Sequence, residues 1–399
     1  MRSDNLDKII QLRHTLHQCA ELSMSEAETM RTLIDFLREH TALQIHDRGS
    51  WFYVQKSCRK GSPKTAPYAD IPAPIAFRAD MDALPIPETI DLPYASAHAG
   101  VSHKCGHDGH SAALCGLALE LEALETDRDV YLIFQPGEET GQGALECRSL
   151  IREKGIGEIY ACHNLGGYPE GSVVYRSGLT QPASEGLRIR LTGKTSHASA
   201  PEKGRNPAAA LARIVLAAQE LSSPDFKNRA MHSAPALTTP AEKMRLCTIT
   251  GIDLGSGDFG ISPGEGEVCM TLRAEAEADM KDMEASILRF AQNAALAEGL
   301  EIRHSIHDYF PETRNHEVCL QKVLSAAGKL GLEPIAMAEL WRASEDFGHY
   351  LKVCPGAIFY IGNGEGYPAL HTVEYDFNDR ILETAADLFL ALIEDHSML

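Results

Sequence analysis

This sequence lacks long apolar runs, a net positive charge and cysteines at disulfide-like spacing. No run of about 18 apolar residues occurs along the 399 residues, so no membrane span is predicted. Residues 1–11 mix charges with Ile9 and Ile10 and contain no apolar core of a secretory signal. The ten cysteines are scattered without disulfide-like spacing, which suits a reducing compartment. We therefore expect a cytoplasmic protein.

A surplus of acidic residues excludes a further class of partner. Lys and Arg number 37 against 56 Asp and Glu, which gives a formal charge of −19 at pH 7. Binding of nucleic-acid phosphates requires a basic surface, so no nucleic-acid partner is expected. Hydrophobic residues make up 44% of the chain, which is enough for globular folding. A chain of this length exceeds one ordinary core, and two domains are predicted.

A short block rich in metal-binding side chains dominates the sequence. Residues 103–112 read His-Lys-Cys-Gly-His-Asp-Gly-His-Ser-Ala. Histidine nitrogen, thiolate sulfur and carboxylate oxygen are the donors that divalent transition metals bind. Apolar residues recur at helical spacing from Ser111 onward, so the block is predicted as a loop that leads into a helix. A polar loop before a buried helix is the alternative, and a metal site needs ligands from elsewhere.

Three apolar strands are predicted in the first half of the chain, at 75–77, 130–134 and 156–162. Each is followed by acidic residues or a histidine, namely Asp80 and Asp82, then Glu138 and Glu139, then His163. Because helical segments lie between the strands, the pattern indicates an open α/β sheet with a site at its carboxyl edge. Of two adjacent glutamates, one can bind metal while the other transfers protons. Solvated acidic turns are the alternative.

Other elements follow from apolar spacing and capping residues. Residues 4–20 have helical spacing, and Ser25 followed by Glu28 predicts a capping box that opens a second helix. The polar, proline-bearing segment 57–72 is predicted as a loop.

The pattern changes between about residue 180 and residue 310. The predicted order is strand, helix, strand, strand, helix, strand, at 187–192, 207–221, 246–251, 268–273, 279–297 and 300–304. This is a ferredoxin-like order, so we predict a second domain at 182–309, inserted between parts 1–181 and 310–399 of the first. His197 follows the first of these strands, and a lone histidine is more often structural than catalytic. His371 lies in a loop near the end of a later strand.

Taken in order, these motifs resemble the M20 metallopeptidase family, and specifically its amidohydrolase branch. That branch contains hippurate hydrolases, plant auxin-conjugate amidohydrolases and bacterial N-acyl-amino-acid deacylases. The matching motifs span nearly the whole chain, at 13–17, 21–23, 78–85, 105–110, 135–139, 163, 193–197, 344–347 and 371. The resemblance implies an α/β catalytic domain with a mixed sheet and helices on both faces. It also implies that the inserted ferredoxin-like α+β domain is a lid and dimerisation domain.

The resemblance further implies a hydrolase with two divalent metal ions per subunit. Five residues match the metal ligands of the branch: Cys105, His107, Glu139, His163 and His371. Cys105 stands where other branches use a bridging aspartate, so its thiolate would span both ions. Zinc suits cysteine and histidine donors, and manganese, cobalt or nickel are also compatible.

Further residues match other functional positions of the branch. Glu138 matches the general base, which would take a proton from a metal-activated water and pass it to the leaving nitrogen. Asp80 and Asp82 match outer positions, and Asp82 would orient a ligand histidine. His197 matches a substrate-binding histidine that reaches the partner subunit's site and stabilises the oxyanion, which implies a homodimer. Arg273 matches a lid arginine that would clamp a substrate carboxylate, with an exposed strand residue as the alternative.

One position departs from the family pattern. Related chains carry Asn-Val-Ile-Pro where this sequence has Gly-Ile-Ser-Pro at 260–263, so the substrate-binding amide is missing. The implied reaction is hydrolysis of N-acyl amino acids to a carboxylic acid and a free amino acid. A dipeptidase or broad aminoacylase of the same family is one alternative. A non-catalytic metal-binding protein is the other, which the presence of Glu138 and His197 disfavours.

Overall fold

The computed structural model describes residues 1–58, 72–222 and 243–394. The chain divides into two compact units. The first consists of Met1–Thr180, Thr313–Leu340 and Glu345–Leu399, and the second of Gln181–Glu312 and Trp341–Ser344. Most of the predicted loop 57–72 lies outside the described residues. Within the described ranges, no helix combines the length and the apolar character that crossing a membrane requires.

Helices and strands alternate along much of the chain. The helices are α1 (Ser3–Gln18), α2 (Ala27–His40), α3 (His107–Leu121), α4 (Gly143–Cys147), α5 (Ser149–Lys154), α6 (Ala208–Glu220), α7 (Glu277–Ala297), α8 (Glu317–Lys329), α9 (Gly348–Leu351) and α10 (Leu382–Glu394). The strands are β1 (Gln44–Asp47), β2 (Phe52–Lys56), β3 (Ile75–Asp80), β4 (Val130–Gln135), β5 (Glu158–Leu165), β6 (Val173–Tyr175), β7 (Leu179–Gln181), β8 (Ala183–Thr192), β9 (Ser196–His197), β10 (Arg245–Leu254), β11 (Ile261–Ser262), β12 (Glu265–Ala274), β13 (Glu301–Phe310), β14 (Thr313–Arg314), β15 (Pro334–Ala336) and β16 (Gly356–Gly362).

The first unit is built on an eight-stranded mixed sheet of order β1-β2-β4-β3-β5-β16-β6-β15. Its central strands β4, β3, β5 and β16 pair in parallel, while β1, β2 and β6 make antiparallel pairs. Along β3, Ile75, Phe77 and Ala79 enter a core shared with α1, α2, α3, α8 and α10. The intervening Ala76 enters a second core shared with α4, α5 and α9. Because successive side chains of a strand point to opposite faces, helices cover both faces of the sheet, and the predicted mixed α/β fold is confirmed.

The second unit contains a four-stranded antiparallel sheet of order β10-β12-β8-β13. Its elements follow one another as β8, α6, β10, β12, α7 and β13, with the two-residue strands β9 and β11 between them. Leu187, Ile189 and Leu191 of β8 are buried in a core shared with α6 and α7. The intervening Arg188 and Arg190 are exposed, so the helices pack on one face of this sheet.

The predicted capping box at the start of α2 does not form. Glu26 is the N-cap residue of α2 and makes no side-chain cap. The carboxylate of Glu21 instead accepts the backbone N–H groups of Glu28 and Thr29 at 2.7 and 2.8 Å. The free N–H groups at this helix end are therefore satisfied by a residue outside the box, from the turn that precedes the helix.

Candidate metal centre

The candidate site lies at the carboxyl edge of three adjacent parallel strands, β4, β3 and β5. Asp80 is the last residue of β3, and the loop that follows β4 carries Glu138 and Glu139. His163 was predicted to follow its strand, but it lies inside β5, two residues before the strand ends. Parallel neighbours bring these residues to one edge, as the open-sheet pattern predicts.

The metal-binding block reaches this edge through a turn at Gly106. Gly106 is the N-cap residue of α3 with a left-handed φ of 98°, and His107 opens the helix. The predicted loop up to Ser111 is therefore wrong, because the helix begins four residues earlier. A Cβ atom at position 106 would lie 2.6 Å from Asn164 Oδ1 and 2.7 Å from the Tyr375 hydroxyl. Glycine is required here both for its φ and for the close approach.

The structure brings the five predicted ligands together in two groups of donors. Within each group, all donor atoms lie within 4.8 Å of one another; the groups are Cys105, His107 and His163, and Cys105, Glu139 and His371. Cys105 Sγ lies 3.5 Å from His163 Nε2 and 3.4 Å from His371 Nε2. Cys105 belongs to both groups, which is the position that a ligand bridging two ions would occupy.

Two atoms of these groups make no hydrogen bond to any described residue, although His371 Nε2 lies 3.3 Å from one of them, Glu139 Oε1. Among the described residues, buried His107 Nε2 and Glu139 Oε1 have no hydrogen-bond partner. Buried polar atoms usually have one, so two such atoms at one site are consistent with a bound cation as the missing partner. The other ring nitrogen of His107 lies 3.0 Å from Asp82 Oδ1, which leaves Nε2 as the atom available to a cation. Sulfur, imidazole and carboxylate donors together fit divalent transition metals.

Asp80 and His110, which form a further cluster of potential donors with His107, already have protein partners. Asp80 Oδ2 accepts from Arg78 Nη1 at 2.6 Å, and Asp80 Oδ1 lies 2.6 Å from His110 Nδ1. The far nitrogen of His110 lies 2.6 Å from Asn164 Oδ1. Both oxygens of Asp80 and both ring nitrogens of His110 therefore have protein partners, in contrast to His107 Nε2.

Behind Glu138 lies a group of buried charges that the sequence analysis missed. Arg78 is fully buried and donates from Nη2 to Asp346 Oδ1 at 2.8 Å, with Glu345 Oε1 at 3.2 Å. Asp346 also accepts from Gln135 Nε2 at 2.9 Å, and its own N–H donates to Glu138 Oε1 at 3.3 Å. An arginine inside the apolar strand 75–80 was the available signal, because a buried guanidinium requires anionic partners.

Burial and crowding of negative charge shift the pKa values at the site. Burial, together with Glu345 and Glu139, raises the pKa of Glu138 well above its usual range. Burial, together with the negative charges of Glu139 and Glu138, also raises the pKa of the Cys105 thiol. Burial would lower the pKa of His107, but Asp80 and Asp82 outweigh it and raise that pKa to about 10. The charge of divalent cations would offset this excess of negative charge. Cations would also favour the thiolate form of Cys105 and the neutral imidazole of His107.

His197 and Arg273 belong to the second unit, whereas the five candidate ligands belong to the first. Exposed His197 lies in β9 opposite Ile261 of β11, and its Nδ1 accepts the N–H of Ser199 at 3.1 Å. Arg273 lies in β12 and donates to Ser344 Oγ at 2.7 Å. The second unit thus anchors both side chains by local hydrogen bonds.

Comparison with known proteins places this arrangement in a family. Residues 76–395 match peptidase family M20/M25/M40, and the chain belongs to this family, which confirms the resemblance drawn from its motifs. An N-acetyl-L-cysteine deacetylase of Bacillus subtilis (strain 168) is 31% identical over 363 residues, which cover 89% of this chain and 80% of that protein. A hippurate hydrolase of Campylobacter jejuni is 27% identical, with 96% of this chain and 94% of that protein covered. The structure of Bacillus subtilis YXEP, a dinuclear metal-binding peptidase of the M20 family, has a TM-score of 0.77 at 25% identity and 98% coverage of both chains.

Proposed function

We propose that this protein hydrolyses the amide bond of N-acyl amino acids, releasing a carboxylic acid and a free amino acid. It is a metal-dependent hydrolase of linear amide bonds, and the relatives to which it is similar include an N-acetyl-L-cysteine deacetylase and a hippurate hydrolase. The observation that carries the proposal is the pair of donor groups that share Cys105. Buried Glu138 lies beside them, in a third group with His107 and Glu139, and is a member of neither group that contains Cys105.

Five side chains would hold two divalent cations in this proposal. Cys105 would bridge them, His107 and His163 would complete one set, and Glu139 and His371 would complete the other. Zinc fits cysteine and histidine donors best, while manganese, cobalt or nickel are also compatible. When bound, the cations would polarise the substrate carbonyl and lower the pKa of a water toward neutrality.

Glu138 is our candidate for the general base. Its side chain is only 6% exposed, and Oε2 lies 3.9 Å from His107 Nε2, beside the first set of donors. The N–H of Asp346 holds Oε1, so one oxygen is oriented and the other faces the donors. A carboxylate held in this way can first accept a proton from the attacking water and then deliver it to the leaving nitrogen. Asp82 assists by fixing the ring of His107.

We further propose that the second unit is a ferredoxin-like lid and dimerisation domain, and that the protein acts as a homodimer. His197 would serve the site of the partner subunit. Since Nδ1 of His197 accepts a backbone N–H, the neutral ring carries its proton on Nε2, which can donate to an oxyanion. Arg273 would bind the carboxylate of the substrate.

A cytoplasmic location completes the proposal. All ten cysteines are free, which agrees with a reducing compartment.

The test is a hydrolysis screen on metal-depleted protein. N-acetyl and N-benzoyl amino acids and dipeptides are supplied with added zinc, manganese, cobalt or nickel, and metal content is measured alongside. The parent is expected to bind two ions and to cleave N-acyl amino acids faster than dipeptides. Glu138→Gln should keep both ions while its turnover falls by about 10²–10⁴-fold.

The matched control is Glu39→Gln, an exposed position on α2, which should leave rate and metal content unchanged. Equal turnover of Glu138→Gln and the parent would remove Glu138 as the base. Absence of hydrolysis by the parent with all four metals would contradict the activity.

A further inference from the structure

A buried lysine sits inside the metal-binding block and has no part in the proposed chemistry. Lys104 directly precedes Cys105, and its side chain is 0% exposed, which is rare for lysine. Its ammonium donates to Glu88 Oε1 at 2.7 Å and to the backbone carbonyl of Tyr375 at 2.8 Å. The second bond ties the block to the segment that carries His371.

His371 has a backbone conformation that needs support. Its φ is 62°, in the left-handed region that residues other than glycine rarely adopt. Its side chain is 50% exposed, so packing does little to hold it. The His371 N–H donates to the carbonyl of Lys104 at 2.8 Å, and the Tyr375 N–H donates to the carbonyl of Thr372 at 3.2 Å. Lys104 therefore contacts both ends of segment 371–375, through its carbonyl at one end and its ammonium at the other.

The ammonium of Lys104 is itself fixed by further buried charges. Glu88 Oε2 lies 2.8 Å from His17 Nε2, and His17 Nδ1 lies 2.8 Å from Asp108 Oδ2. Asp108 follows His107 in the first turn of α3. A continuous series of buried charges thus connects the start of α3 with the segment of His371.

We propose that Lys104 is a positioning residue that holds segment 371–375 so that His371 presents Nε2 to Cys105 and Glu139. This rests on the proposed function, because it presupposes the two cations. The side chains of His107 and His163 have direct anchors other than the ammonium, namely Asp82 and the Asn164 carbonyl. Loss of the ammonium should therefore weaken one ion and spare the other.

The experiment is a calorimetric titration of metal-depleted full-length protein with zinc, which measures the affinity of each ion. Lys104→Met keeps the aliphatic stem and removes the donors. We expect two binding events, of which one is weaker than in the parent by about 10- to 100-fold and the other is within about three-fold. Lys104→Gln, which is too short to reach both acceptors, is the second variant and should give the same split if Lys104→Met fails to fold.

The control is Lys322→Met, because Lys322 pairs with Glu158 at 2.7 Å in the same unit and is 19% exposed. This variant should lose stability without changing either affinity. Unchanged affinities in both Lys104 variants, or an equal fall in both affinities, would overturn the positioning role and leave the proposed function standing. A parent that binds fewer than two ions would overturn the metal centre and this inference with it.

Discussion

Asp82 connects the two donor groups at the level of single atoms. Its Oδ1 lies 3.0 Å from His107 Nδ1, and its Oδ2 accepts from the Ser23 hydroxyl at 2.7 Å and from the Glu139 N–H at 3.0 Å. Burial would raise the pKa of Asp82, but these partners, His107 above all, outweigh it and hold that pKa below its usual range. A charged Asp82 orients the ring of His107 and the backbone of Glu139, one ligand from each group.

Asp82→Asn should lower metal affinity by about 10- to 100-fold, because the amide no longer holds His107 with a full charge. The measurement is competition between the protein and a chelator of known affinity. Ser23→Ala is the control, since it removes one partner of Asp82 and leaves the His107 contact intact. Equal metal affinity in Asp82→Asn and the parent would show that Asp82 does not tune the centre.

At the scale of elements, the turn into α3 places the metal-binding block. The apolar spacing predicts a helix from Ser111 onward. The helix in fact starts at His107, because Gly106 turns the chain in a left-handed conformation. The sequence pattern contains the glycine but not the neighbours that crowd it, Asn164 and Tyr375, which come from distant segments. For the same reason the short strands β1, β6 and β15 were not predicted, since pairing partners rather than local patterns define them.

Gly106→Ala should destabilise the protein more than Gly100→Ala does. Both glycines have positive φ, 98° and 78°, so both variants carry a backbone strain of about 1–2 kcal/mol. Only at position 106 would the new Cβ meet other atoms, because nothing lies within 4 Å at position 100. Urea unfolding of both variants measures the difference. Gly106→Ala should also lose metal affinity, and equal stability with full metal binding would refute this account of the turn.

At the scale of the whole first unit, buried charges connect segments that are far apart in sequence. Arg13 of α1 donates to Asp376 at 2.9 Å and to Asp379 at 2.8 Å, while His17 of the same helix bonds Asp108 and Glu88. Burial would lower the pKa of His17, but hydrogen bonds to Asp108 and Glu88 outweigh it and raise the pKa from 6.5 to about 9. His17 is therefore charged in the folded protein at neutral pH.

Stability should consequently fall between pH 6.5 and about pH 9. The unfolded chain releases the proton of His17 near pH 6.5 while the folded chain keeps it, so the stabilisation is complete below pH 6.5 and is lost as pH rises through about 9. Its size is on the order of 3 kcal/mol. Urea unfolding of metal-free protein across this range measures it.

His17→Gln should flatten this pH dependence, and His304→Gln, at an exposed position of the second unit, should retain it. A slope that is the same in the parent and in His17→Gln would assign the effect to other groups.

The amino-acid sequence by itself determined the kinds of donor atoms, the strands that carry most of them and the family. These properties are local, because residue type and apolar spacing are legible within a few positions. Only the tertiary structure decided that Cys105 and His371, 266 positions apart, lie 3.4 Å from each other. It also decided that Arg78 gathers the carboxylates behind Glu138, and that Lys104 is buried against segment 371–375. Such contacts depend on how the strands and loops pack, and no local pattern records that packing.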